Sequence, residues 1–286
     1  METSGCPAAY VSEINRIFAW LKNRLNIIIM KRIYIVALIA AAAVCGTSCS
    51  SRYMPVGVER SRILIDSRYD NAVGDDGTRQ FLAPYKQVVD SIVSPVVGKS
   101  ARYMAADRPE SLLSNLLADI LIYGSADYGE KPDFSVYNIG GMRSAFAEGD
   151  VTYGDVVDVA PFDNKIYFMT LTGKKVMELF RQIAGVGGEG VSHGVELVID
   201  GRGNLLSARL NGEEIDEGRS YRVATLDYLA QGNDKMLAFK DGTDINAPAS
   251  DDNNVRFIIM KYMGGLMKRG MAADSKIEGR ITIKKQ

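Results

Sequence analysis

The sequence predicts a single α+β domain over residues 61–286, and three observations carry that prediction. Apolar residues recur every three to four positions in several stretches, the spacing of a helix with one buried face. Between them lie short apolar or alternating runs bounded by Gly, Asn and Asp, the signature of strands and hairpins. Hydrophobic residues make up 47% of the 286-residue chain and charged residues 24%, enough for a substantial core.

Taken in order, residues 63–65 (Ile-Leu-Ile) form a short strand candidate. Leu82, Tyr85, Val88, Val89 and Ile92 have helical spacing, so a helix is predicted over 82–92. Val96-Val97 reads as strand. Residues 111–123 form a stronger helix, with Leu112, Leu113, Leu116, Leu117, Ile120 and Leu121 on one side. Residues 134–137 make a strand that delivers Asn138. A short helix is predicted over 153–159, a strand over 165–170, and a helix over 173–184 that ends in the glycine-rich loop 185–190. Residues 195–199 and 205–210 flank Asp200-Gly-Arg-Gly-Asn204 and predict a hairpin. Asn211-Gly212 is a second hairpin signal, because both residues tolerate positive φ. Residues 221–225 read as strand, 241–254 as a polar acidic loop, 255–268 as helix and 277–283 as a closing strand.

The N-terminus reads as an address. Lys31-Arg32 precede an apolar run over 33–44, followed by Gly46-Thr-Ser-Cys49. Twelve apolar residues are too short to cross ~30 Å of hydrocarbon comfortably, so an export signal is favoured over a membrane span. Cys49 after small residues resembles a bacterial lipobox, where cleavage leaves a lipidated cysteine; a plain signal peptide or an uncleaved anchor is the alternative. The predicted organisation is therefore an upstream extension over 1–29, a signal with a lipobox-like end over 30–49, a tether over 50–60 and the domain over 61–286. This is the pattern of an exported bacterial lipoprotein, facing the periplasm or attached to the outer membrane, and held to the membrane by its lipid. Met30 is a natural translation start.

Composition excludes several functions. Cys6, Cys45 and Cys49 are the three cysteines, so nothing beyond Cys49 can form a disulfide or a thiolate site. Residues 1–49 hold five Lys/Arg against two Asp/Glu, which leaves 29 basic and 33 acidic groups in the remainder and no basic footprint for nucleic acid. His193 is the one histidine. It lies in Gly190-Val-Ser192-His-Gly194, which fits the G-x-S-x-G pattern of a nucleophile elbow. That elbow needs a strand before it, a helix after it and a separate histidine later in the chain, so a serine-hydrolase triad is excluded. A single histidine cannot furnish a two-metal phosphatase site either, so no metal ligands and no cofactor are assigned to this chain.

Three segments remain that can carry chemistry. Asn138-Ile-Gly140-Gly141-Met-Arg143 follows a strand: its glycines allow a sharp turn or close backbone approach, and Arg143 offers a planar fork to oxygens. Pro161-Phe162-Asp-Asn164 supplies an aromatic and an amide. The stretch from Thr225 through Tyr228 to Asp234 supplies a second aromatic and a carboxylate. An amide, an arginine, two aromatics and a carboxylate suit a flat, hydroxylated, anionic molecule such as a nucleotide.

These segments, with Glu148-Gly-Asp-Val-Thr-Tyr153, Leu171-Thr-Gly173, Tyr221-Arg-Val-Ala-Thr-Leu226 and Gly232-Asn-Asp234, resemble in order the C-terminal domain of the 5′-nucleotidase and UDP-sugar hydrolase family over about 102–283. The resemblance implies a mixed sheet with flanking helices and a substrate-binding role. It implies that Phe162 and Tyr228 sandwich a base, with Tyr228 where phenylalanine is common. It further implies that Asn138 bonds the base edge, Asp234 accepts from ribose hydroxyls, Arg143 contacts ribose or phosphate, and Asn164 walls the pocket beside Gly140 and Gly141. Two departures stand out: Leu112 and Ser114 replace the family's Asn-x-Gly, and Arg108 is one residue away from an expected arginine. The family's metallophosphoesterase domain does not precede residue 102, so a divalent metal pair is expected only on a partner subunit. The expected function is the nucleoside- or nucleotide-binding half of a split 5′-nucleotidase. A stand-alone nucleoside- or nucleotide-binding lipoprotein is the alternative, and a structural remnant the third possibility.

Overall fold

A computed structural model describes Arg16, residues 20–24, residues 30–32 and residues 76–284. The apolar run and Cys49 of the predicted leader, the tether at 50–60 and the strand at 63–65 lie outside the described residues. The chain divides into two units, Met1–Asp70 and Asn71–Gln286. In the first, the described residues are helical. Among the described residues no helix is long and apolar enough to cross a membrane.

In the second unit, α1 (Asp76–Val93) leads into β1 (Val96–Ser100) and α2 (Leu112–Ser125), then β2 (Phe134–Tyr137), β3 (Gly149–Thr152), α3 (Tyr153–Val159), β4 (Ile166–Thr172) and α4 (Gly173–Gly185). After these come β5 (Gly190–Val191), β6 (Val195–Asp200), β7 (Leu205–Leu210), β8 (Glu213–Glu214), β9 (Ser220–Leu226), α5 (Asp227–Ala230), β10 (Thr243–Asn246), α6 (Val255–Lys268) and β11 (Ile281–Lys284). This is the predicted α+β class.

A five-stranded mixed sheet in the order β10-β4-β9-β2-β5 holds the unit together. Its longest ladder is antiparallel, β4 on β9 from Ile166↔Leu226 to Thr172↔Ser220, whereas β9 and β2 are parallel. Successive side chains of a strand point to opposite faces, and here both faces are covered. Ile166, Phe168, Ala224 and Leu226 enter one core with Leu113, Leu117 and Ile120 of α2 and Ile259 and Met263 of α6. Met169, Leu171, Val223 and Phe134 enter a second core with Val176, Leu179, Phe180 and Ile183 of α4 and Leu197 of β6. Each fully buried Val, Leu, Ile, Phe or Met among them contributes about 1.5–3 kcal/mol relative to exposure.

Local chemistry sets the element ends. Ser111 caps α2 through a reciprocal box with Ser114. The predicted hairpin is β6 against β7, with Asp200 Oδ1 accepting from the Arg202 and Asn204 amides at 2.8 Å. Asn211 (φ 54°) and Gly212 (φ 81°) turn β7 into β8 as the dipeptide predicts.

Two expectations need correction. The polar stretch 241–254 is more than a loop: β10 pairs on the edge of β4, through Thr243↔Thr170 and Asn246↔Phe168. The closing strand is shorter than 277–283, because Glu110 accepts from the Glu278 and Gly279 amides and bends the chain before β11 begins. The helix predicted over 82–92 extends to α1, yet it buries no residue, leaving Phe81, Leu82, Tyr85, Val88, Val89 and Ile92 exposed.

Candidate functional site

The parallel neighbours β2 and β9 end side by side, and the chain leaves each of them into a segment singled out in the sequence. Beyond β2, Asn138 opens a single 3-10 turn over Ile139–Gly141. A Cβ on Gly141 would lie 2.7 Å from Asn138 Oδ1, so any larger residue there would displace the amide. Arg143 is placed by its backbone amide, which donates to Val159 O at 2.9 Å. Beyond β9, α5 carries Tyr228, and Gly232 (φ 80°), Asp234 (φ 51°) and Lys235 (φ 67°) follow in left-handed conformations. Such backbone is costly for residues with a Cβ and concentrates at functional positions. The loop after α3 brings Phe162 and Asn164. Asp163 between them pairs with Arg256 and accepts from Asn254 Nδ2 at 3.2 Å, which ties the loop to α6.

All eight residues of the predicted set, Asn138, Gly140, Gly141, Arg143, Phe162, Asn164, Tyr228 and Asp234, line one cavity of about 400 Å³. Phe162 is 47% exposed and Tyr228 37%, unusual for large aromatics beside a well-packed core. Asp234 receives a hydrogen bond at each oxygen, from Tyr228 OH at 3.0 Å and from Asn138 Nδ2 at 2.8 Å. The Asn138 side chain thus serves Asp234 rather than standing free. Its Oδ1 is a buried polar atom without a hydrogen-bond partner. The Tyr228 hydroxyl is held above the usual tyrosine pKa, first by its bond to Asp234.

Sequence reasoning missed the wall behind this cavity. Glu189, 1% exposed in the glycine-rich loop, accepts from the Ile139 amide at one oxygen and from the Arg108 guanidinium at the other, 2.5 Å away. Arg108 Nε also donates to Gly188 O at 2.8 Å. Burial raises the Glu189 pKa, against the Ile139 amide and Arg108, which pull it down. An acid standing among four glycines reads in sequence as a solvated turn; only the fold places Ile139 over it.

A second polar cluster surrounds the dismissed serine motif. Ser192 is buried and its Oγ accepts from Ser135 N at 2.9 Å; β6, not a helix, follows it. Arg280, 4% exposed, donates to Asp119 at 2.8 and 2.7 Å, to Val191 O at 2.8 Å and to Glu278 at 3.0 Å. His193 is bonded to Glu278 at 2.9 Å. That bond and the one from Arg280 hold the Glu278 carboxyl below the usual range, against a smaller effect of burial.

The donors around the cavity do not fit a divalent metal pair. Asp234 is its one carboxylate and already accepts from two protein groups, while Arg143 lines the same space. Among the described residues no group of three or more His, Cys, Asp or Glu could hold a metal ion.

The profile of the 5′-nucleotidase, C-terminal domain family matches residues 95–241, half of the chain. The chain belongs to that family. Protein UshA of Yersinia enterocolitica is 27% identical over 164 residues, covering 56% of this chain and 30% of that protein. The trifunctional nucleotide phosphoesterase protein YfkN of Bacillus subtilis is 26% identical over 223 residues, 71% of this chain and 15% of that one. The chain therefore spans less than a third of these curated relatives. Among solved structures, a 5′-nucleotidase precursor from Thermus thermophilus superposes with a TM-score of 0.63 at 23% identity, covering 73% of this chain and 43% of that one. The family resemblance and the α+β fold read from the motifs are thereby established.

Proposed function

We propose that this chain is the nucleoside- and nucleotide-binding half of a split 5′-nucleotidase-type phosphohydrolase, exported and lipid-anchored through Cys49, acting in nucleotide catabolism with a separate metallophosphoesterase subunit. The observation that carries the reading is the cavity itself, where two exposed aromatics, a doubly oriented carboxylate and an arginine fork converge. Phe162 and Tyr228 stack the base, at about 1–3 kcal/mol per stacked base. Asp234 accepts from ribose hydroxyls, Asn138 bonds the base edge and orients Asp234, and Asn164 walls the pocket. Gly140 and Gly141 let the ligand approach the backbone, and Arg143 meets ribose or phosphate oxygens. These residues bind and orient, and in this reading the bond-breaking metals belong to the partner.

The test is calorimetric titration of the full chain with adenosine and AMP, alone and with a candidate metallophosphoesterase subunit. The proposal expects binding by the chain alone, and AMP hydrolysis only in the mixture. Absence of binding in either setting would sink it.

One observation favours a second reading, a stand-alone nucleoside- or nucleotide-binding lipoprotein. Arg143 is the one cation among the residues that line the cavity, since Arg108 is held by Glu189 and Gly188. Under that reading adenosine and AMP bind about equally, and no partner produces hydrolysis.

A further inference from the structure

α1 carries a stripe of Phe81, Leu82, Tyr85, Val88, Val89 and Ile92 that nothing covers among the described residues: each of these side chains is at least half exposed, and the helix buries no residue. A lone helix of 18 residues is marginal in water, and Pro84 within this one removes an intrahelical bond. Packing of an apolar face supplies most of the stability of such helices, so the stripe calls for a partner. It leaves on the order of 600 Å² of apolar surface in water, the upper end of what a soluble monomer exposes. Its own domain does not reach it. Along α1 only Asp90 and Val93 are partly covered, and both lie on the side away from the stripe.

Charge placement and the seat of the helix select the partner. In one heptad frame Phe81 and Val88 fall at d, Tyr85 and Ile92 at a, and Leu82 and Val89 at e. The four charged residues of α1, Asp76, Arg79, Lys86 and Asp90, fall at b and f, where Lys86 and Asp90 pair at 2.6 Å. No charge stands at a, d, e or g, so a second copy of the same stripe meets no like charge. The end of α1 is fixed on α3: a Cβ on Gly154 would lie 3.2 Å from Val93 Cβ, and Tyr153 N donates to Pro95 O at 2.9 Å. Each domain thus follows the C-terminal end of its helix. Parallel pairing would crowd both domains at one end, whereas antiparallel pairing places them at opposite ends and sets the helix dipoles head to tail. Two stripes together remove about 1,200 Å² from water, the lower limit of a stable interface. We propose that α1 is a self-association helix: the stripes of two copies of this chain pack antiparallel about a two-fold axis that passes near Tyr85 and Val88.

The test is sedimentation velocity of the full chain over a range of concentrations, beside Val88→Glu, Val88→Lys and Gln87→Glu. The wild type should pass from monomer to dimer with a midpoint on the order of 10 µM, as an interface at the small end of the range implies. Val88→Glu and Val88→Lys should each weaken the dimer at least ~tenfold, because like charges then face each other in the seam. Mixed in equal amounts, the two should recover a dimer, since opposite charges then meet across the axis. Gln87→Glu adds the same charge on the solvent side and should leave the dimer unchanged. Val88 is exposed in the single chain, so neither substitution disturbs the core. A wild type that stays monomeric at ~100 µM overturns the proposal and gives the stripe to another molecule. A dimer that survives Val88→Glu also overturns it, since the copies would then join elsewhere. So does an equal mixture of the two Val88 variants that stays monomeric.

Discussion

The cavity and the Arg280 cluster are built from the same kinds of residue, and they differ in how completely the protein satisfies them. Around Arg280 the valences close: the guanidinium, nearly inaccessible, meets two carboxylates and two backbone carbonyls, and Glu278 is shared with His193. Around Asp234 they remain open, with exposed aromatics, spare carboxylate lone pairs and a buried amide oxygen that lacks a partner. Buried polar groups in folded proteins are nearly all bonded, so an orphan beside the cavity sets this region apart from the saturated Arg280 cluster. The serine motif drew the eye in sequence, yet its surroundings are saturated.

The comparison breaks most readily at Arg280. Arg280→Ala removes a buried cation that ties Asp119, Val191 O and Glu278, and should cost about 3 kcal/mol of stability, read as a lower urea midpoint. Phe162→Ala should do the reverse. It should weaken adenosine binding by about 1–3 kcal/mol and leave the urea midpoint within ~0.5 kcal/mol, because the ring is half exposed. If Arg280→Ala weakened ligand binding as much as folding, the division between the two regions would be wrong.

The two regions should also answer pH in opposite senses. Glu278 has a folded pKa below its ordinary 4.5, so its pairing contributes stability above pH 4.5 and loses it as pH falls through the folded value. Glu189 has a folded pKa above 4.5, so its contribution is full below pH 4.5 and is lost as pH rises through the folded value. Urea midpoints measured against pH should lose their acid-side fall in Glu278→Gln and their decline above pH 4.5 in Glu189→Gln. The smallest effect belongs to His193→Ala. The side chain is 76% exposed, so this change should alter stability by less than ~1 kcal/mol at neutral pH.

Periodicity and turn chemistry made much of the fold legible. Residues 153–159 and 255–268 were readable as helices because their apolar spacing matches a buried stripe, and the β6–β7 hairpin because its turn residues fit. β10 was not readable: Thr-Asp-Ile-Asn has no strand pattern, and it forms because the edge of β4 offers unpaired backbone groups. α1 shows the opposite limit, since helical spacing predicted a helix but carried no information on what covers its apolar side. In the cavity the lining residues were legible from motif order, whereas Glu189 was not, because its partners Arg108 and Ile139 are far away in sequence. Asn138 was read as a base-edge contact; the structure adds a bond from its amide to Asp234, a pairing visible only once β2 and β9 lie together.

That adjacency also orders events in time. Asn138 and Asp234 stand 96 residues apart, and β2 reaches β9 only after β3, α3, β4, α4 and the β6–β7 hairpin have been threaded between them. Contacts so distant along the chain close late, after local helices and hairpins have formed. The cavity is therefore a product of the central sheet and not of any local segment, since its lining residues come together only where β2 and β9 lie side by side.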